Sequence, residues 1–395
     1  AFICLSISDD KKSSKNFILN SLRQTPIRLG NQTLNYGGLF TMSLKNPFLI
    51  VFLGCLVTPL WSESLPPGCT YNKECRVELP GSVCGDGSPS YFTLVAKENS
   101  PNLLVYLEPG GACWSAETCQ FGHVLNLSAK PKSKKILSEK GLLNLSDPTN
   151  PFFNFSKVSI PYCTGDVFLG DRDTNYGDSS NPKVIHHRGF KNALLTMQAA
   201  KEFFPDPERV VLFGRSAGGL GVLAQVRNLE SVFPRSIKYA LADSGTPLMP
   251  PYVDQQSYQQ IIDNWNAHET LPAVSSSESM NHFGDLLRFN ILHFPLIRYG
   301  LIQSYEDVVM TYFAKSIGAP DPSEAVAQSI ISASDHYMGL ETSHAKVFFV
   351  EGRTHVLTKK PVSKIKSAGM VLSQWLDLMF SDKPWPNVRP DLEEN

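Results

Sequence analysis

Arg209-Val-Val-Leu-Phe-Gly-Arg-Ser-Ala-Gly-Gly-Leu-Gly-Val222 decides the architecture. Four consecutive apolar residues, Val210 to Phe213, lie between a charged residue and a glycine, as in a short buried strand. Gly214, Ser216 and Gly218 then form Gly-x-Ser-x-Gly. Between a strand and a helix, this pattern holds a serine on a strained turn with its hydroxyl raised above the sheet, and the glycines clear the turn of side chains. Leu220, Leu223 and Val226 follow at helical spacing, so the sequence predicts a helix over Ala217 to Leu229 and supplies both halves of the expected context. Ser216 is therefore the candidate nucleophile.

Working outward, Leu103 to Leu107 predicts a central strand, followed by Glu108-Pro-Gly-Gly-Ala-Cys-Trp114. A Gly-Gly turn at the carboxyl end of an early strand can offer backbone N–H groups to a developing oxyanion. The residue after the nucleophile gives a second donor. Gly110, Gly111 and Ala217 are the candidate oxyanion hole, and Trp114 beside them is a candidate substrate contact.

Further strands are expected at Tyr91–Ala96, Lys157–Pro161, Ile237–Ala242, Tyr299–Gln303 and Lys346–Val350. Helices are expected from about Phe190 to Phe204, over Val308–Ile317, Ser323–Ser332 and Ser363–Met379. Pro66 to Ser90 reads as irregular and disulfide-tied, residues 120–157 as an insertion over the sheet edge, and the aromatic-rich 251–298 as a cap. The acidic run Asp171, Asp173, Asp178 lacks EF-hand spacing and reads as a solvated loop, and one of His186 and His187 as a structural hydrogen-bonding residue. The alternation predicts an α/β fold: a doubly wound, mostly parallel sheet with helices on both faces.

A serine hydroxyl needs a base at neutral pH. His355 follows a late apolar strand in a small-residue loop and is the candidate, with His336 and His344 as rivals. The base needs a carboxylate to hold its tautomer. Asp307 is the choice, while Asp243, Asp335 and Glu306 remain open on chain order alone. Ser216, Asp307 and His355 stand in the order serine, acid, histidine, each at the carboxyl end of a predicted strand.

The 395 residues are 42% hydrophobic and 18% charged with a formal net charge of −1, which gives no electrostatic case for nucleic acid. Residues 1–41 lack a sustained period and are expected to be a leader outside the native fold. Met42, Lys45, the apolar run Phe48 to Leu60, and Ser62 and Ser64 have the form of an export signal over 42–64, leaving 65–395 as one catalytic domain. Phe52-Leu53-Gly54-Cys55 loosely matches a lipoprotein cleavage site, so membrane attachment through Cys55 is the alternative to a secreted protein. Removing the leader leaves Cys69, Cys75, Cys84, Cys113, Cys119 and Cys163, an even number suited to disulfides, with Cys113–Cys119 a local bridge. No Cys-x-x-Cys or finger-spaced His pair occurs, and no metal or other cofactor is expected.

Six blocks, Pro109-Gly-Gly-Ala-Cys-Trp114, Pro161-Tyr-Cys-Thr-Gly-Asp166, His186-His-Arg-Gly189, Gly214-Arg-Ser-Ala-Gly-Gly219, Ala242-Asp-Ser-Gly245 and Gly352-Arg-Thr-His355, resemble the pectin acetylesterase and Notum family in that family's order. The resemblance covers about residues 83–375. It implies a serine carboxylesterase that removes acyl groups from carbohydrate or, in the Notum branch, a fatty acyl group from a protein. It further implies Ser216 as nucleophile, Gly110, Gly111 and Ala217 as oxyanion hole, and His355 as base. Gln303-Ser-Tyr-Glu-Asp-Val308 resembles the segment holding the family's aspartate and favours Asp307. Pro109 departs from the family, which usually has three glycines there.

The expected activity is hydrolysis of acyl, above all acetyl, esters of a polysaccharide such as pectin by a secreted monomer without cofactor. A lipase-like or Notum-like deacylase for longer chains, and a catalytically silent surface-binding protein on the same fold, are the alternatives.

Overall fold

In the central strands, alternate residues enter opposite cores. Leu103, Val105, Leu107, Val210 and Leu212 pack on one side, and Leu104, Tyr106, Val211 and Phe213 on the other. This period of two is what a sheet buried on both faces requires. The computed structural model describes residues 65–120, 125–129, 137, 141–144, 146–270, 283–339 and 344–390. The expected leader, the export signal and Cys55 lie outside the described residues.

The strands are β1 (Glu74–Glu78), β2 (Tyr91–Val95), β3 (Asn102–Leu107), β4 (Ser156–Ile160), β5 (Arg172–Asn175), β6 (Val184–His187), β7 (Arg209–Arg215), β8 (Ile237–Asp243), β9 (Arg298–Ser304), β10 (Ala345–Val350), β11 (Lys366–Ser367) and β12 (Met370–Val371). Eight of them form one sheet in the order β1-β2-β4-β3-β7-β8-β9-β10. From β4 to β10 every neighbouring pair is parallel. β2 and β1 add antiparallel strands at one edge. The chain is thus of the α/β-hydrolase-like class.

The helices are α1 (Gly189–Phe203), α2 (Ala217–Val232), α3 (Gln255–Trp265), α4 (Ala267–Thr270), α5 (Phe283–His293), α6 (Val308–Ser316), α7 (Pro322–Gly339) and α8 (Leu372–Met379). Residues of α1, α2, α3, α5, α6 and α7 share the first core. The second is covered by α8 together with Leu137, Leu142, Leu143, Phe152 and Phe155. The segment expected as an insertion over the sheet edge therefore supplies part of the lining of that face.

Three further expectations change. The C-terminal helix begins at Leu372 instead of Ser363. Ala368 and Gly369 both have positive φ, 43° and 77°, and turn the chain into the hairpin β11–β12; a two-residue turn of that hand fits paired strands and cannot continue a helix. The segment Pro66–Ser90 contains the edge strand β1. The acidic run is half sheet: β5 pairs with β6, Asp173 accepts from Arg188 Nε at 2.9 Å, and Asp171 from Arg188 Nη1 at 2.8 Å. The anticipated Cys113–Cys119 bridge forms, beside Cys69–Cys75 and Cys84–Cys163.

Chain order reverses at β3, whose two neighbours, β4 and β7, both follow it in sequence. In open α/β sheets the crevice at the carboxyl ends of such strands is where ligands bind. The Gly110-Gly111 loop leaves β3 there, and Ser216 leaves β7.

Candidate active site

Ser216 lies between β7 and α2 with φ 54° and ψ −121°. That region is sparsely populated for a residue with a Cβ and costs of order 1–3 kcal/mol, sustained by surrounding structure. Its N–H donates to Asp243 O at 2.8 Å, fixing the turn to the end of β8. Both glycines of the motif are sterically required. A Cβ at Gly214 would lie 1.9 Å from Gly218 O, and one at Gly218 would lie 2.1 Å from Leu107 O.

His355, in the loop after β10, sets Nε2 2.8 Å from Ser216 Oγ. Its Nδ1 lies 2.9 and 2.8 Å from the two carboxylate oxygens of Asp307. A carboxylate can only accept, so Nδ1 carries the proton and Nε2 is free to accept from the serine. Asp307 is fully buried and caps α6: Oδ1 accepts from the N–H groups of Val309 and Met310 at 3.0 and 3.1 Å. Gln303 Nε2 donates to Oδ2 at 3.1 Å. The helix N–H groups and the amide occupy other lone pairs of the carboxylate and fix its orientation toward the imidazole.

The rival residues sit elsewhere. Asp243 is buried and accepts from Leu357 N, Thr358 N and Thr358 Oγ1 at 3.1, 2.8 and 2.5 Å. Asp335 is exposed on α7, Glu306 is exposed beside Asp307, and His344 precedes β10 at the opposite end of the sheet, 3.3 Å from Ile291 O. His336 belongs to α7.

Gly110, Gly111 and Ala217 border one cavity with Ser216. A Cβ at Gly110 would lie 1.8 Å from the Tyr162 ring, so only glycine fits. Ala217 opens α2, where a backbone N–H has no intrahelical acceptor. The cavity is partly open to solvent and is walled largely by Trp114, Tyr258, Ile261, Trp265, Phe283 and Phe313. Tyr258, Ile261, Trp265 and Phe283 come from the 251–298 segment expected as a cap shaping a substrate entrance; no periodicity singles them out, because a wall side chain and a core one share the same spacing. The cap is pinned to the glycine loop, since Trp265 Nε1 donates to Cys113 O at 2.8 Å and Asn264 Nδ2 to Trp114 O at 2.7 Å.

His187 is the structural histidine of the pair, buried with Nδ1 2.8 Å from Thr164 O and Nε2 2.9 Å from Tyr176 Oη. Burial pushes its imidazole down to about 4 from 6.5. Nearby, burial pushes the Asp166 carboxyl up to about 6, although Thr164, Gly189 and Phe168 donate to it. From pH 6.5 down to 4 the unfolded chain takes a proton at His187 that the folded chain refuses, so this residue lowers stability on acidification. Asp166 acts in the opposite sense below pH 6, because the folded chain takes its proton first. Replacing His187 with asparagine should therefore make Tm fall less, or rise more, than in wild type between pH 7 and 4.5, measured by thermal scans; an unchanged slope would show that the imidazole is not the group titrating.

Among the described residues, no cluster of three or more His, Cys, Asp or Glu could hold a metal ion. A family model described as pectinacetylesterase matches residues 75–285, more than half of the chain. Palmitoleoyl-protein carboxylesterase NOTUM of Homo sapiens is 28% identical over 203 residues, which are 48% of this chain and 38% of that protein. Pectin acetylesterase 11 of Arabidopsis thaliana is 26% identical over 210 residues, 50% of this chain and 52% of that protein. The chain thus matches about two fifths to one half of the length of these relatives. The solved structure of the Wnt deacylase Notum from Drosophila superposes with a TM-score of 0.59 at 18% identity, covering 80% of this chain and 95% of that one, which supports the fold. The glycine loop after β3 and the Gly-x-Ser-x-Gly turn after β7 both fall inside the matched span, and the chain belongs to the pectinacetylesterase family.

Proposed function

We propose that this protein is a secreted serine carboxylesterase that hydrolyses acyl esters through an acyl-serine intermediate. The observation that carries the reading is the hydrogen-bonded series Ser216 Oγ, His355 Nε2, His355 Nδ1, Asp307, with both contacts at 2.8 Å at their shortest. His355 takes the serine proton as Oγ attacks the ester carbonyl carbon, and returns it to the departing alcohol. Backbone N–H groups of the Gly110-Gly111 loop and Ala217 receive the negative charge on the carbonyl oxygen; one such donor is typically worth about 3 kcal/mol of barrier. Water activated by the same histidine then releases the acid. The mechanism asks for no cofactor, and the three disulfides suit an exported protein.

The family supports acetyl esters of a polysaccharide as substrate. A second reading, a longer acyl chain, is favoured by the large apolar side chains that wall the cavity beside Ser216. The relatives named as palmitoleoyl-protein carboxylesterases agree with it.

A fluorophosphonate probe should label Ser216 in the folded wild-type protein, and failure to label would favour a silent binding protein. Comparing p-nitrophenyl acetate, octanoate and palmitate then separates the substrate readings. If the cavity holds the chain, octanoate exceeds acetate in kcat/KM by ~10-fold or more, at roughly 1–3 kcal/mol for each well-placed methylene before the pocket is filled. Ile261→Trp, which fills part of the cavity, should then lower octanoate turnover while sparing acetate. A preference for acetate that Ile261→Trp leaves untouched would leave the acetylesterase reading standing alone.

A further inference from the structure

The block Ala242-Asp-Ser-Gly245 has no place in the chemistry above, yet its residues touch all three segments that bear Ser216, Asp307 and His355. Asp243 O accepts the N–H of Ser216 at 2.8 Å. The N–H of Ser244 donates to Ile302 O of β9 at 2.9 Å. Ser244 Oγ accepts the N–H of Val356, the residue after His355, at 2.9 Å. The Asp243 carboxylate takes the next two N–H groups, those of Leu357 and Thr358. Arg215, which precedes the serine, donates from Nε to Thr358 Oγ1 at 2.9 Å and from Nη2 to Thr358 O at 2.7 Å. One residue further on, Thr246 Oγ1 donates to Gln303 Oε1 at 3.0 Å, orienting the amide whose Nε2 donates to Asp307.

We infer that Asp243, Ser244 and Thr246 are positioning residues that set the mutual geometry of Ser216, His355 and Asp307, acting through Val356, Thr358 and Gln303. The inference rests on the esterase reading. The physical need is plain. The three groups come from loops after three different strands, and His355 sits where Val356 adopts φ 61° and Ser244 φ 55°, conformations a free loop would not hold. Asp243 is fully buried, and its carboxylate accepts three donors from Leu357 and Thr358 and a fourth from Ser244 Oγ at 3.3 Å. Gly219 and Gly245 let the strand end and α2 approach this closely, since a Cβ at Gly245 would lie 2.4 Å from the Gly219 carbonyl carbon.

Three variants of the full chain test it: Ser244→Ala, Thr246→Val and Thr358→Val. Thr246→Val removes one bond of the frame, Ser244→Ala and Thr358→Val two each, and none touches the reacting groups. In folded protein, checked by thermal melting, kcat and the fluorophosphonate labelling rate should fall together by roughly 10- to 100-fold with KM nearly constant, the loss expected of a misplaced reacting group. Thr358→Ser and Thr246→Ser, which keep the hydroxyl, should restore most of the rate. Wild-type rates in folded Thr246→Val and Ser244→Ala, or a Thr358→Ser as slow as Thr358→Val, overturn this inference alone. A wild-type protein that neither labels nor hydrolyses overturns the esterase reading and this inference with it.

Discussion

Ser216→Ala should abolish ester hydrolysis and probe labelling, lowering kcat by about 10⁶-fold, the scale on which loss of a serine nucleophile acts in triad hydrolases. The fold should survive. Alanine keeps the Cβ, so it meets the same backbone geometry at φ 54° and ψ −121°, and the N–H bond to Asp243 O is untouched. What disappears is the oxygen 2.8 Å from His355 Nε2. Thermal unfolding should shift by no more than a few degrees, as for a substitution that removes one partly exposed hydrogen bond. The control is Gly218→Ala, which should behave in reverse: its Cβ would sit 2.1 Å from Leu107 O, backbone that cannot move aside without breaking the β3 pairing, so folding itself should fail. Residual hydrolysis in Ser216→Ala comparable to wild type would assign the nucleophile to another group.

The turn that bears Ser216 is legible in the sequence because its causes are local. A strand, two obligatory glycines and a helix occur within about twenty residues, and each carries its own signal. The pairing of His355 with Asp307 is less so. His355 and Asp307 are separated by 48 residues, and their meeting depends on the register that sets Val350 opposite Ser304 in neighbouring parallel strands. Asp243 also ends a strand, so sequence position alone does not separate the two; the structure joins Asp243 to residues 357–358 and Asp307 to His355. The β5–β6 hairpin was hidden for the same reason, because Arg172–Asn175 reads as a polar loop until Val184–His187 is brought alongside. The start of α8 was misread for a local reason that periodicity ignores: Ala368-Gly369 prefers to turn, and the apolar spacing on either side runs through the hairpin.

Asp307→Asn should lower kcat by about 10⁴-fold at neutral pH with little change in KM, the effect of presenting the wrong imidazole tautomer in a serine triad. Asparagine is as good a helix cap as aspartate, so its carbonyl oxygen can still accept from Val309 and Met310 and α6 stays in place with Met310 and Phe313 on the cavity wall. The amide nitrogen then takes the position of Oδ2, where it faces Gln303 Nε2 donor to donor and turns an N–H toward His355 Nδ1. The imidazole answers by moving its proton to Nε2, which can no longer accept from Ser216 Oγ. Asp307→Ala removes the helix cap as well, a loss of about 1 kcal/mol that Asp307→Asn is spared. Asp335→Asn, on the exposed face of α7, should leave kcat unchanged. The two asparagine variants together identify the acid: the assignment to Asp307 fails if its variant keeps wild-type kcat, because no other carboxylate among the described residues is hydrogen-bonded to His355.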